Sequence, residues 1–276
     1  MIEVPALIPD LTNEEYHADK SFFSRSALMD FDRCPYQYWA RHLNPDRPQK
    51  DATPQMIMGS AFHTLILEPH LFEKNYLVMP EKVLLKNVGR EAYEEYKKIE
   101  REAESCKGKV VLSRNDYECL LKMQHTFNRN ERAKELIEGA LYELSYFWQD
   151  KDSEMNLKCR PDALHPHFIV DLKTCSDASP RAFQNEMVRY GYHVQGAMVR
   201  AGVEAVEWRR INTVINVCIE TKYPHTMAIY VIDEEAIDAG ERKYKELCLA
   251  LKSAIGHNEF ADYGIQNIGL PRWAYE

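Results

Sequence analysis

None of the seven cysteines (Cys34, Cys106, Cys119, Cys159, Cys175, Cys218 and Cys248) stands in a C-x-x-C pair. Their scattered, odd-numbered placement excludes a cysteine-only zinc site and a disulfide framework as the basis of the fold. No stretch approaches the length of a membrane span. The opening "MIEVPALIPDLTNEEYH" has no basic segment, and its apolar run is short and broken by proline, so no signal peptide is expected and the cytoplasm is the expected compartment. An excess of basic residues is also missing. The net charge of −8 argues against a protein that coats nucleic acid non-specifically. It leaves room for an enzyme with a local basic groove, because active-site carboxylates add negative charge that metal ions neutralise. No repeat, low-complexity tract or linker interrupts the 276 residues, which predicts a single domain over 1–276. What is there, 45% hydrophobic and 28% charged residues, is the composition of a soluble globular protein.

The chain changes texture near residue 140. Before it the pattern is helical. "SFFSRSALMDFDRCPYQYWARHL" opens on serines and spaces Leu28, Phe31, Tyr38 and Trp39 as a helix would. "QMIMGSAFHTLILEP" reads as a buried helix, apolar nearly all round and ended by Pro69, with Gly59 and Ala61 permitting close approach. "REAYEEYKKIEREAES" and "SRNDYECLLKMQHTFNRNERAKELIEG" suit a polar surface layer. Beyond residue 140, "LYELSYFWQD", "MNLKCRPDALH" and "HFIVDLKTC" read as three consecutive strands with turns at 150–153 and 165–167. A helix from Ser179-Pro180 to Gly202, two further strands and a closing helix ending at Gly256 complete the order. The predicted class is α/β, a mixed sheet flanked by helices, with a helical layer at 1–139 and the sheet and closing helices at 140–276.

Asp171 and Lys173 project from one face of a strand because the side-chain period is two, and a short hairpin through Pro166 brings Asp162 near them. Two carboxylates on one face raise each other's pKa unless a cation sits between them. Oxygen ligands favour Mg²⁺ or Mn²⁺ over zinc. Lys173 beside them can orient a water or stabilise charge on a phosphate. The alternative is plain: Lys173 forms salt bridges with both carboxylates at a strand end. Three more residues bear on the choice. His63 lies on the apolar helix, one turn after Gly59 on the same face. Glu143 is an acid in an otherwise apolar first strand. Gln195 sits among apolar neighbours in "YHVQGAM". Each alone fits an ordinary core or surface role.

Taken in order, G-x-x-x-H (59–63), Glu143, "RPD" ending at Asp162, "DLK" (171–173) and "YHVQ" (192–195) resemble the PD-(D/E)xK nuclease superfamily. They are most similar to its RecB-like exonuclease branch and, within that, to the RecE-type exonuclease VIII family. The likeness runs from "YHADKSFFSRSAL" to the closing "LPRWA". It implies a PD-(D/E)xK core with an N-terminal helical insertion. It implies that His63, Asp162, Asp171 and the Leu172 carbonyl bind Mg²⁺, with Mn²⁺ as substitute, and that Lys173 positions or activates the attacking water. Glu143 corresponds to the acid of the first core strand and Gln195 to the glutamine that supports the site. Ser24, Arg25 and Ser26 fall where related enzymes bind the DNA end; serines at a helix start are also ordinary caps. Many relatives carry a tyrosine three or four residues after the glutamine. Met198 and Val199 stand there instead, with Tyr192 one turn earlier as a DNA-side candidate. Cys34 resembles the first cysteine of iron–sulfur members, but only Cys248 is offered near the C-terminus, so no cluster is expected and Cys34 reads as a packing residue.

The implied activity is metal-dependent hydrolysis of double-stranded DNA from its ends, 5′ to 3′, leaving 3′ single-stranded tails for recombination in a phage or bacterial setting. The resemblance also implies a ring-shaped homo-oligomer, a trimer or tetramer, threaded by DNA, and a single-strand annealing protein as partner. Lys82, Lys86 and Arg90 are candidates for the DNA path, or simply solvated surface. Two other readings stay open: an endonuclease or single-strand exonuclease of the same superfamily, and an inactive DNA-binding recombination scaffold.

Overall fold

Local signals account for most of the helical first half, and also for where it breaks. The computed structural model describes residues 2–48, 52–80, 89–105 and 108–270. It starts with β1 (Ala6–Ile8) and α1 (Asn13–Ala18), which Thr12 and Glu15 cap reciprocally. The helical pattern from Ser24 divides: α2 (Arg25–Arg33) ends at Cys34, and α3 (Pro35–Tyr38) begins anew before a π-helical turn to Leu43. Pro35 forces the break, because the residue before a proline is driven to extended backbone. Cys34 is buried at that joint. The Gly59–His63 segment lies on α4 (Pro54–Leu67), capped by Thr53 and stopped before Pro69. It is less buried than its composition suggests: Ala61, Phe62, Leu65 and Leu67 face the core while Met56 is exposed. Next come α5 (Phe72–Asn75), β2 (Tyr76–Val78), α6 (Arg90–Ser105) and β3 (Val110–Leu112); β2 and β3 pair in parallel, a small sheet the helical reading of this half did not include. Then α7 (Arg114–Arg129) and α8 (Glu131–Ile137) are separated by Asn130, which caps the second. Arg90 is exposed. Lys82, Lys86 and residues 271–274 of "LPRWA" lie outside the described residues.

The first two of the three expected strands are each cut in two. One arm gives β4 (Leu141–Tyr142) and β5 (Ser145–Gln149); the other gives β6 (Asn156–Cys159) and β7 (Ala163–Leu164). Glu143 therefore lies between strands, not in one. Its backbone is left-handed (φ 52°), and on the facing arm Pro161 has no N–H to give a ladder. The hairpin bends there, so β5 and β6 form a sheet with β1, while β4 and β7 join a five-stranded sheet of order β10-β9-β8-β7-β4. In that sheet β8 (Phe168–Cys175) pairs antiparallel with β7 and parallel with β9 (Thr213–Glu220), and β10 (Met227–Ile232) closes the edge.

The parallel β8–β9 pair needs a crossover, supplied by α9 (Pro180–Tyr190) and α10 (Tyr192–Glu207). These are two helices rather than one, divided at Gly191 (φ 68°), and α10 does not stop at Gly202 but runs on to Glu207. Gly202 is instead a close contact: a Cβ there would lie 2.8 Å from the Trp148 ring. The closing helix α11 (Glu234–His257) crosses α10 at Gly240, where a Cβ would fall 2.3 Å from the His193 carbonyl oxygen. One core lies between the sheet and α10–α11, around Val194, Val214, Cys218 and Ile237. The other lies beneath α4 and α7, around Phe62, Leu120, Leu172 and Val217. The mixed sheet flanked by helices matches the predicted class.

Candidate active site

The candidate residues gather where β7 leaves β8. Pairing between them covers Ala163↔Val170 and Leu164↔Ile169 and then stops, because the hairpin bends away at Asp162. The backbone of Leu172 is thus left without a strand on that side. Two side chains occupy the place of the lost ladder. The Asp162 carboxylate (Oδ2) accepts from Leu172 N–H at 2.7 Å, and His63 Nε2 lies 2.9 Å from the Leu172 carbonyl. Buried backbone groups require partners, and here the partners are chemically active groups.

His63 reaches this notch because α4 packs tightly on β8. Gly59 makes the approach possible, since a Cβ there would sit 3.3 Å from Thr174 Oγ1. The room beside Gly59 is taken by the strand itself. In the neutral imidazole, donation from Nε2 to a carbonyl leaves the Nδ1 lone pair facing Asp162 Oδ2 at 3.5 Å. Two acceptors facing each other suit a shared cation. Glu143 completes the group: its bend is pinned by Glu143 N–H donating to the Asp162 carbonyl (3.3 Å). One ligand atom each from His63, Glu143 and Asp162 lies within 4.8 Å of the others. This trio differs from the expected set in containing Glu143 and not Asp171.

Asp171 points along the other face of β8, toward α10. Its Oδ1 accepts from Gln195 Nε2 at 2.5 Å. Its buried Oδ2 accepts no hydrogen bond among the described residues and rests against the Lys173 ammonium. Lys173 Nζ also donates to Gln195 Oε1 (3.1 Å) and stands 4.5 Å over the Tyr192 ring. The salt bridge that the sequence allowed therefore exists, with Asp171, and Gln195 spans both members. Arg25 joins from α2, donating to Gln195 Oε1 (3.2 Å) and to the Tyr190 carbonyl (2.8 Å). Ser24 occupies the N-cap position of α2 but makes no cap bond; its hydroxyl lies 2.9 Å from that of Ser26.

The charge balance is strained by proximity. Burial pushes the Glu143 carboxyl up, and the charges of Asp162, Glu68 and Asp171 add to this, with Arg160 opposing. Burial also raises Asp162, as does Asp171, against His63, Lys173 and the Leu172 N–H. Glu68 and Arg160 were not singled out from sequence. Glu68 was visible only as the residue before the helix-ending Pro69, and Arg160 only as the first letter of "RPD". Arg160 is held by Ser145 Oγ (2.9 Å) and the Leu11 carbonyl (2.8 Å), over the Tyr16 ring. Ser24, Arg25, Ser26, His63, Glu143, Asp162 and Gln195 all border one open cleft of about 1030 Å³, roofed on one side by residues 9–14.

Residues 24–266 match a family described as a PDDEXK-like domain of unknown function (DUF3799). No curated protein matches the chain significantly. Among solved structures, a protein from Eubacterium rectale described as a "Putative exonuclease" superposes with a TM-score of 0.64 at 14% identity, over 96% of this chain and 98% of its own. That likeness is one of fold. No helix among the described residues is long and apolar enough to cross a membrane.

Proposed function

The chain belongs to the PDDEXK-like domain family, within the PD-(D/E)xK nuclease superfamily, and from that premise we propose that it is a divalent-metal-dependent exonuclease acting on duplex DNA ends. The observation that carries the reading is the notch beside β8. There a cluster of nitrogen and carboxylate donors lies next to an ammonium group held by its own network. The donor set suits Mg²⁺ or Mn²⁺. Carboxylates driven toward protonation by burial first and by neighbouring negative charge second, with His63 Nδ1 3.5 Å from Asp162 Oδ2, favour a cation among them. His63, Glu143 and Asp162 would hold it, with the Leu172 carbonyl bordering the same notch and Asp171 on the α10 side of β8. Such a cation supplies polarisation of the scissile phosphate and a more acidic bound water.

The chain's own residues do the rest. Lys173 presents its ammonium to the attacking water and to charge growing on the phosphate, steadied by Gln195 and the Tyr192 face. The Ser24 and Ser26 hydroxyls, free of capping duty, are placed to contact phosphate oxygens in the cleft. Cleavage runs 5′ to 3′ and leaves 3′ tails for recombination, in a ring-shaped homo-oligomer that works with an annealing protein.

The test is digestion of end-labelled linear duplex with Mg²⁺. Nucleotides should be released from 5′ ends, closed circles should remain intact, and chelation should stop the reaction. Asp171→Ala and Lys173→Ala should each slow release by roughly 100-fold or more. Nicking of circles would point to an endonuclease, preference for single strands to a single-strand exonuclease, and DNA binding without cleavage to a scaffold.

A further inference from the structure

Arg25 has a place in the site that its position at a helix start does not suggest. We propose that Arg25 is a positioning residue: it fixes the orientation of the Gln195 amide, and through it the placement of Asp171 and Lys173. This rests on the nuclease reading above.

The Gln195 amide is held at both ends by charged groups. Its Oε1 accepts from two cations, Lys173 Nζ at 3.1 Å and Arg25 Nη2 at 3.2 Å, while Nε2 donates to Asp171 Oδ1 at 2.5 Å. Turned over, the amide would set its NH₂ against both cations and its oxygen against a carboxylate, so each of these contacts would become repulsive. Three charged neighbours thus select one orientation. On the nuclease reading, two of them, Asp171 and Lys173, act toward the neighbouring metal site and the reacting water. When their charge is directed there, Arg25 is the neighbour that still holds the oxygen in place.

Arg25 is itself anchored for this task. Its other terminal nitrogen donates to the Tyr190 carbonyl at 2.8 Å. Tyr190 ends α9 immediately before Gly191, where the chain turns left-handed into the helix that carries Gln195. The same glycine lets α2 dock: a Cβ at Gly191 would lie 2.7 Å from Met29 Sδ. One guanidinium fork therefore spans the α9–α10 junction and reads both the turn and the amide. A planar fork with two separate terminal donors suits this, and a lysine's single point charge does not. With both terminal nitrogens directed inward, Arg25 differs from the neighbouring Ser24 and Ser26, whose hydroxyls bond each other and no further group among the described residues.

The experiment separates positioning from phosphate contact. Arg25→Lys, Arg25→Ala, Gln195→Ala and the Arg25→Ala/Gln195→Ala double variant are compared with wild type, after checking that each melts as wild type does. Three quantities are read: Mn²⁺ affinity of the DNA-free protein, affinity for 5′-phosphorylated and 5′-hydroxyl duplex with Ca²⁺, and single-turnover cleavage with Mg²⁺. Positioning predicts that both Arg25 variants lose roughly 10- to 100-fold in cleavage. Mn²⁺ binding should weaken severalfold, and DNA affinity should stay within about twofold for both ends. The double variant should be no slower than the worse single one. If the Arg25 variants instead bind Mn²⁺ as wild type does and lose affinity only for phosphorylated ends, or if the losses multiply in the double variant, the assignment is overturned. If Arg25→Ala does not fold, Arg25→Lys alone decides by the same readouts. A wild type that neither binds Mn²⁺ nor cuts DNA would overturn the nuclease reading, and this assignment with it. With an active wild type, the variants bear on Arg25 alone.

Discussion

Glu143 is buried beside Asp162, with Glu68 and Asp171 adding to its repulsion and Arg160 in opposition. The folded state therefore keeps protons on Glu143 and Asp162 at pH values where an unfolded chain, with carboxyls near about 4, has released them. Where the native state binds more protons than the unfolded one, stability falls as pH rises. The contribution is fully present below the unfolded carboxylate range and is lost as pH climbs through the raised native values. Glu143→Gln should thus raise the melting temperature of metal-free protein by roughly 2–4 °C near pH 8 and make little difference near pH 4. Mn²⁺ should stabilise wild type more than the variant. Comparing the two proteins cancels the opposing effects of His17 and Lys158, whose values are lowered by burial. A difference that shrinks toward high pH would refute the account. At this scale the sequence was informative about company and less so about pairing. His63, Asp162, Asp171, Lys173 and Gln195 do converge. That Glu143 joins His63 while Asp171 turns to Gln195 depends on a left-handed kink at Glu143, which alternation of side chains does not reveal.

Close crossings between elements depend on single hydrogen atoms. At Gly240 the α11 backbone lies against the backbone of His193, so an added methyl group meets a carbonyl that cannot swing aside. Gly240→Ala should cost about 1–3 kcal/mol or more, and because α10 carries Gln195, activity should fall with it. Gly256, on the same helix with nothing within 4 Å of an added Cβ, is the control. Gly256→Ala should be neutral or stabilising by up to about 1 kcal/mol. Urea unfolding measures both, and equal effects would refute the packing argument. The same distinction explains where sequence reading of elements succeeded. A long periodic segment such as α11 came out well: its end is expected at Gly256 and falls at His257. Glycine misled: Gly202 looked like a helix end and is a packing contact against Trp148, while Gly191 is the true break. Both uses of glycine follow from its missing side chain, and only the neighbours tell them apart. The short strands β1, β2 and β3, three residues each, carry too little pattern to be read without their partners.

For the molecule as a whole, a net charge of −8 gives little general attraction to DNA. Under the proposed ring, sustained digestion would come from enclosure rather than from electrostatic grip. Light scattering should then show a trimer or tetramer, and the run length on long duplex should change little between low and moderate salt even though initial binding weakens. A monomer whose run length collapses with salt would rule out the ring. The bent hairpin has a different consequence for the population of folded chains. Glu143 and Asp162 face each other across one hairpin whose halves belong to two sheets, so neither sheet alone can bring them together. A one-residue slip in either half would turn side chains to the wrong face and scatter the donors. Copies that mispair during synthesis would then be inert rather than loosely active, so that correct folding acts as a licence to cut.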